Sequence, residues 1–462
     1  MMKHTRTILR IFGILLLELI VSHAQAVTLT ALVSFAGTNG AFPSAGLIQA
    51  KDGNFYGTTA SGGPGGYGTV FRMTPSGTFT NLIAFNSTNG AGPRAGLVQG
   101  TDGNFYGTTY NGGSNNAGTV FQLTTNRALT TLVTLTFANT GAYPIAGLIQ
   151  GQDGNFYGTT AIGGTNSGGT AFQVMTNRTL TPLVSFNITG NVGNSPYAGL
   201  VQVSDGTLYG TTYQGGTNGF GTIFKVTTNG TFLPLHSFNG TNDGANPSAG
   251  LVQGQDGSFY GTTFNGGTNG YGTVFRFATN GALATLVSFG NTNGAYPQAA
   301  VVQGSDGGLY GTTYAGGAYT NLSGLGYGTV FKLGTNGGLT TLISFDGTNG
   351  SSPEAGLIQG ADGNLYGTTA MGGTNGHGTV FRLTITAPPP PEFQAVMKIG
   401  ATLTMTWSAT VGQTYQMLFK TNLNQITWNN FESTVLATNE VMTTLDTIGP
   451  DPRRFYRVLL LQ

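Results

Sequence analysis

The chain has 462 residues, no cysteine, 39% hydrophobic and 11% aromatic content, 7% charged residues and a formal net charge of +1. Disulfides and thiolate metal centres are therefore excluded, and the near-neutral balance leaves no basic footprint for nucleic acid. The 78 glycines would suit low complexity on count alone, but a strict internal period assigns them to the turns of packed repeats.

Met1 to Ala26 reads as a secretory signal peptide. Lys3, Arg6 and Arg10 make a basic start, Ile11 to Val21 an apolar run broken by Glu18, and Ala24-Gln25-Ala26 a small-residue cleavage site. A membrane span needs roughly 20 apolar residues; this run is shorter, and no later segment qualifies. Removing residues 1–26 takes three of 17 basic and one of 16 acidic residues, which leaves 14 against 15. The expected destination is secretion or the cell surface.

From Val27 onward the chain is governed by the stretch DGNFYGTT. Its Asp recurs at Asp52, Asp102, Asp153, Asp205, Asp256, Asp306 and Asp362, at spacings of 50, 51, 52, 51, 50 and 56. Each unit runs AGLIQ, a DG turn, NFYGTT, a GG-rich loop, GTVFRMT, a short turn and TNLIAF. These are four apolar or β-branched runs bounded by Gly, Asn and Asp, read as strands A to D of an antiparallel blade. Asp-Gly suits the tight A–B hairpin because its backbone tolerates positive φ. A period near fifty with four strands per unit predicts a β-propeller.

Strands A, B and C occur seven times, but strand D follows only the first six C strands. The missing D strand is the N-terminal Leu32–Phe35, so the two ends are expected to share blade seven, with the N-terminal strand outermost. The predicted architecture is an all-β, seven-bladed propeller over residues 27–385.

These residues also carry a resemblance. DGNFYGTT, GTVF and the GTNGA…P…AGL linker resemble the GloVer tandem repeats of secreted bacterial proteins over about residues 30 to 384. The resemblance implies export, propeller-like repeats and a variable C-terminal module, and no established reaction or ligand. The AGLIQ…DGN.Y portion is also similar to NHL and SMP-30-like propeller repeats.

Residues 386–392 hold Pro388 to Pro391, a stiff extended linker. Residues 393–462 contain strand-like runs at Thr402–Trp407, Thr414–Lys420, Val441–Leu445 and Phe455–Leu461. They are expected to form a small fibronectin type III-like β-sandwich around Trp407, Tyr415 and Tyr456.

Candidate chemistry is sparse. The seven turn aspartates form a ring of carboxylates, yet calcium needs several oxygens converging on one ion, and turn chemistry already accounts for Asp there. The column after GTVF holds Arg72, Gln122, Gln173, Lys225, Arg276, Lys332 and Arg382. It reads either as an anion-binding ring or as long stems covering apolar surface with their heads in water. His236 replaces Val or Ile in a strand D column, which favours packing. No HExxH, GxSxG or Cys–His arrangement is present, and Glu354 is the only glutamate of the repeats.

The B–C and D–A loops share the face opposite the DG turns. The B–C column reads Tyr67, Ala117, Gly168, Phe220, Tyr271, Tyr327 and His377. The D–A column before the proline reads Phe42, Gly92, Tyr143, Ser195, Asn246, Tyr296 and Ser352. Such aromatics either stack on sugar rings or a partner, or lid the blade interfaces. The longer sixth B–C loop adds Tyr319, Leu322 and Leu325 and is expected to lie over this face, with Tyr319 and Tyr327 supplied to a ligand.

The ligand-binding candidates are therefore Tyr67, Phe220, Tyr271, Tyr296, Tyr319, Tyr327 and His377; no catalytic, cofactor or metal residue is assigned. The expected function is a non-enzymatic exported scaffold that binds polysaccharide or a cell-surface protein, as a monomer without transmembrane span. The alternative is a carbohydrate-active lyase or hydrolase with dispersed loop residues.

Overall fold

The computed structural model describes residues 27–189, 191–320, 324–335, 337–386, 391–410, 413–422, 424–447 and 454–461. The signal-peptide reading of Met1–Ala26 and most of the proline run, 387–390, lie outside these residues. All regular structure among them is β. The chain divides into two compact units, Val27–Thr384 and one that includes Ile385–Gln462.

The first unit is propeller-like and contains seven four-stranded sheets, six of them each built from one repeat and the last from the final repeat and the N-terminal strand. In the first, strand A is Ile48–Gln49, B is Phe55–Thr59, C is Thr69–Met73 and D is Phe79–Ala84. The last sheet combines Val27–Ser34 with Thr379–Ile385, Leu365–Thr369 and Ile358–Gln359, in that order, so the chain's N-terminal strand occupies the outer edge. Strand A is shorter than the AGLIQ run suggests: only its last two residues pair with strand B. The preceding Ala-Gly is engaged elsewhere. Its alanine carbonyl accepts a hydrogen bond from a threonine of the neighbouring sheet, as in Thr58 Oγ1 to Ala95 at 3.0 Å.

Each residue of the motif has a physical task. Gly57 sits where a Cβ would come within 2.6 Å of the Phe71 ring and 2.9 Å of Leu47. Strand C can therefore cross it only if the position is glycine. The two threonines divide the work: Thr58 reaches the next sheet, whereas Thr59 bonds Thr69 across strands B and C at 2.8 Å. Consecutive apolar residues such as Val70 and Phe71 are both fully buried, because neighbouring sheets cover both faces of strand C. The apolar clusters accordingly straddle sheets, and one of them joins Val33, Phe35, Tyr366 and Val380 of the last sheet to Leu47, Phe55, Phe71 and Met73 of the first.

The second unit has one sheet of Phe393–Ile399, Thr402–Ser408 and Val441–Thr447. A second sheet centres on Thr414–Lys420, which pairs with Phe455–Leu461, Asn429–Asn430 and Val435–Leu436. Met405, Trp407, Tyr415 and Met417 are buried between them, with Tyr456 partly buried beside them. The strand Phe393–Ile399 has no counterpart in the sequence reading, and it is exposed along its length.

Candidate functional site

At the turn end of the repeat unit the aspartates are occupied. Asp52 Oδ2 accepts from the Tyr56 hydroxyl at 2.8 Å and from the Asn54 amide at 2.8 Å, and Oδ1 accepts from the Asn54 backbone at 3.0 Å. Burial acts to raise the Asp52 carboxyl, but these bonds outweigh it and hold it below the usual carboxylate range. The same burial, with the Asp52 bond, pushes Tyr56 up to about 12. Part of the column after GTVF joins this arrangement. Gln122 donates to the Tyr106 hydroxyl at 2.7 Å, and Arg276 and Lys332 form ion pairs with Asp256 and Asp306 at 2.9 and 2.7 Å. The heads of these three each close on the turn of their own repeat.

At the opposite, loop end, the residue before each linker proline is left-handed, with φ between 52° and 60°. Its N–H donates to the carbonyl of the preceding sheet's B–C column: Gly92 to Tyr67 at 2.9 Å, Tyr296 to Tyr271 at 2.8 Å, and Phe42 to His377 at 3.0 Å. A bulky residue at positive φ costs on the order of 1–3 kcal/mol, and this inter-sheet clasp holds it there. His236, at the strand D edge, bonds Asp243 at 2.9 Å.

The sequence-chosen aromatics occupy this face but do not converge. Phe220, Tyr327 and His377 each lie against the first glycine of the following GTNG-type loop: Gly240, Gly347 and Gly37 respectively. Tyr271 meets Tyr296 edge-on with centroids 5.7 Å apart, and Tyr296 stacks on Phe264 at 5.1 Å. These rings cover interfaces between neighbouring sheets. Tyr319 is exposed in the sixth loop, apart from Tyr327 in these contacts; Leu322 falls outside the described residues. Tyr67 differs from the rest. It is 44% exposed and lines a cleft of about 270 Å3 together with Arg94, Tyr110, Asn111 and Asn116.

Four of those cleft residues were not singled out by sequence, and Arg94 marks a wider pattern. The glycines that precede the A strands approach one another from sheet to sheet: a Cβ on Gly96 would lie 3.2 Å from the Gly46 carbonyl, one on Gly46 3.6 Å from Gly356, and one on Gly356 2.9 Å from Ala300. The A strands thus converge on a common axis. Two residues earlier in each copy stand Ser44, Arg94, Ile145, Tyr197, Ser248, Gln298 and Glu354, and successive members approach one another, as where Ser248 donates to the Gln298 carbonyl at 3.4 Å. The column is flanked by Pro and Ala in every copy, yet it holds six residue types in seven repeats. That contrast within one sequence was the available signal.

Arg94 lies over the Tyr110 ring at 4.3 Å, Tyr110 stacks on Tyr143 at 4.7 Å, and Tyr197 stacks on Tyr213 at 4.7 Å. Burial pushes the Glu354 carboxyl above the usual range, against the opposing pull of Ser44 and of the Arg94 charge. No cluster of three or more metal-ligating side chains occurs among the described residues. No helix there is long and apolar enough to cross a membrane.

Comparison with known proteins places the chain. No curated protein matches it. Among solved structures, a fungal alcohol oxidase of the AA5 family in complex with copper aligns over 95% of this chain and 90% of its own, at 14% identity and a TM-score of 0.50. A putative 6-phosphogluconolactonase from Bacteroides uniformis aligns over 85% of this chain and 100% of its own, at 15% identity and a TM-score of 0.47. The periplasmic gluconolactonase of Pseudomonas aeruginosa covers 87% and 99%, at 12% identity and a TM-score of 0.42. At such identities the likeness is one of fold. The model of the Gloeobacter/Verrucomicrobia repeat matches residues 19–150, 98–255 and 229–415, overlapping stretches that take in most of the sequence, and the chain belongs to that repeat family.

Proposed function

We propose that the protein is an exported, non-enzymatic binding scaffold whose loop face takes a polysaccharide. In this reading residues 27–385 act as a closed seven-bladed propeller, residues 1–26 are a cleaved signal, and residues 393–462 form a fibronectin type III-like β-sandwich that serves attachment. The observation that carries it is the cleft beside the axis, where the Tyr67 and Tyr110 rings, the Arg94 guanidinium and the Asn111 and Asn116 amides meet. Concave sites that combine aromatic faces with a few polar groups are the usual form of small-ligand recognition. The other six aromatics chosen from sequence act in this reading as its supporting rim.

The test is a screen of the purified chain against immobilised polysaccharides, followed by titration of any hit. Binding that survives in the wild type and is lost in Tyr67→Ala supports the assignment. An empty screen, or binding indifferent to Tyr67, removes it. A second reading, a lyase or hydrolase, draws on Glu354, whose carboxyl burial raises against the pull of Ser44 and of the Arg94 charge. Release of new chain ends by the wild type but not by Glu354→Gln would establish that reading and displace the first.

A further inference from the structure

We infer that the loop-face cleft is built for a carboxylated sugar, a uronate residue of an acidic polysaccharide, with its carboxylate held by Arg94. The inference rests on the glycan-binding reading above and deepens it. It starts from charge placement. The repeat unit holds nine Lys and Arg residues: Lys51, Arg72, Arg94, Arg127, Arg178, Lys225, Arg276, Lys332 and Arg382. Eight of them fall in the DG turns, in the C–D turns or at the end of strand C beside the DG turns. Arg94 stands alone at the loop end, in the column that faces the axis.

Its surroundings fix how it is presented. The guanidinium carbon lies over the Tyr110 ring, 4.3 Å from its centre, and Tyr110 is backed by Tyr143, which Phe137 meets edge-on at 5.2 Å. The ring thus anchors the charged head from one side and leaves its N–H groups for a ligand. Among the described residues no carboxylate lies within ion-pair distance of Arg94. The other acids of the loop end are otherwise placed. Asp243 pairs with His236, Asp346 accepts from the Thr348 and Asn349 backbone of its own loop, and Glu354 stands two sheets away around the axis with its carboxyl raised by burial. A planar fork held in place with no ion-pair partner among the described residues matches a carboxylate in two-point geometry.

The rest of the cleft matches a sugar ring. Tyr67 offers an exposed aromatic face for the apolar side of a pyranose, while Tyr110, held between Arg94 and Tyr143, forms the wall that carries the guanidinium. The Asn111 amide has no hydrogen-bond partner among the described residues, while Asn116 uses its oxygen on the Gly112 backbone at 2.9 Å and keeps its NH2. Those amide groups suit hydroxyls, which both donate and accept.

The experiment is calorimetric titration of the full chain with oligouronates, namely galacturonate, mannuronate–guluronate and glucuronate tetramers, each paired with its own methyl ester. The ester keeps ring and hydroxyls and removes only the charge. The expected result is that at least one acid binds and its ester binds about tenfold or more weaker, as loss of a charge-assisted pair requires. Arg94→Gln should lose the acid by a similar factor, Arg94→Lys by less, and added salt should weaken the acid and not the ester. Equal affinity of acid and ester, or full affinity in Arg94→Gln, overturns the inference and leaves glycan binding standing. A sulfated neutral tetramer that binds as tightly as the acid overturns the carboxylate assignment. If no uronate binds while a neutral polysaccharide does, the inference alone fails; if the whole polysaccharide screen is empty, both fail.

Discussion

The unit that repeats is a hydrogen-bonded arrangement as much as a strand pattern. Asp102 accepts from the Tyr106 hydroxyl at 2.8 Å and from Asn104, while Gln122 closes on the same hydroxyl. Burial tends to raise Asp102, but Tyr106 and Asn104 hold it below the ordinary range; Tyr106 is pushed up to about 12 by burial and by Asp102. The signs fix two pH windows. A carboxyl lowered in the folded state contributes stability above its unfolded value near 3.9, and loses it as pH falls through the folded value. A tyrosine raised in the folded state contributes stability below its unfolded value near 10, and loses it as pH rises toward about 12. The melting temperature should therefore be flat through neutrality and fall below about pH 4 and above about pH 10. Tyr106→Phe should lower the plateau and soften the alkaline fall. An alkaline limb of unchanged depth in that variant would place the titration elsewhere.

Between residues and the whole stand the strands, and here legibility was uneven. Strands B and C were readable because both faces are buried, so Phe55–Thr59 and Thr69–Met73 appear as unbroken apolar and β-branched runs. Strand A was overextended, because the Ala45 carbonyl accepts from Thr368 of a neighbouring sheet and Gly46 lies close to the Gly356 backbone, and neither pairs with strand B. The aromatic columns were visible in sequence, but their use as covers over Gly37, Gly240 and Gly347 depends on loop positions that no local pattern encodes. Arg94 was passed over because the eye follows what repeats, and its column is the place where the repeats disagree. The borrowed strand was legible by counting. Val27–Ser34 lies on the edge of Thr379–Ile385, and Phe35 is fully buried against Phe71 and Phe79 at 5.5 and 5.7 Å. Deleting residues 27–35 should expose that edge and remove a phenylalanine whose truncation alone costs about 3–5 kcal/mol. The truncated chain should melt earlier or aggregate. An unchanged melting temperature would show that the strand contributes nothing to closure.

At the scale of the molecule, the contacts between the first and last sheets repeat those between sequential ones. Thr368 donates to the Ala45 carbonyl at 3.1 Å, as Thr159 does to Ala198 at 2.9 Å, although the first pair is 323 residues apart and the second 39. The Gly378 position abuts Pro43 as Gly169 abuts Pro196, and Phe55 packs on Tyr366 as Phe105 packs on Tyr56. An array with free ends would have weak terminal interfaces and fray from them. A ring has no terminal interface, so a loss at any junction should be felt equally. Thr368→Val and Thr159→Val each remove one buried hydrogen bond at almost constant volume, and each should cost about 1 kcal/mol. Scanning calorimetry of the two variants checks this: both should lower the transition of the repeat unit by about the same few degrees or less, with its cooperativity intact. If Thr368→Val instead splits the transition, or leaves it untouched while Thr159→Val lowers it, the junction between the chain's two ends is not equivalent to the others and the ring is open there.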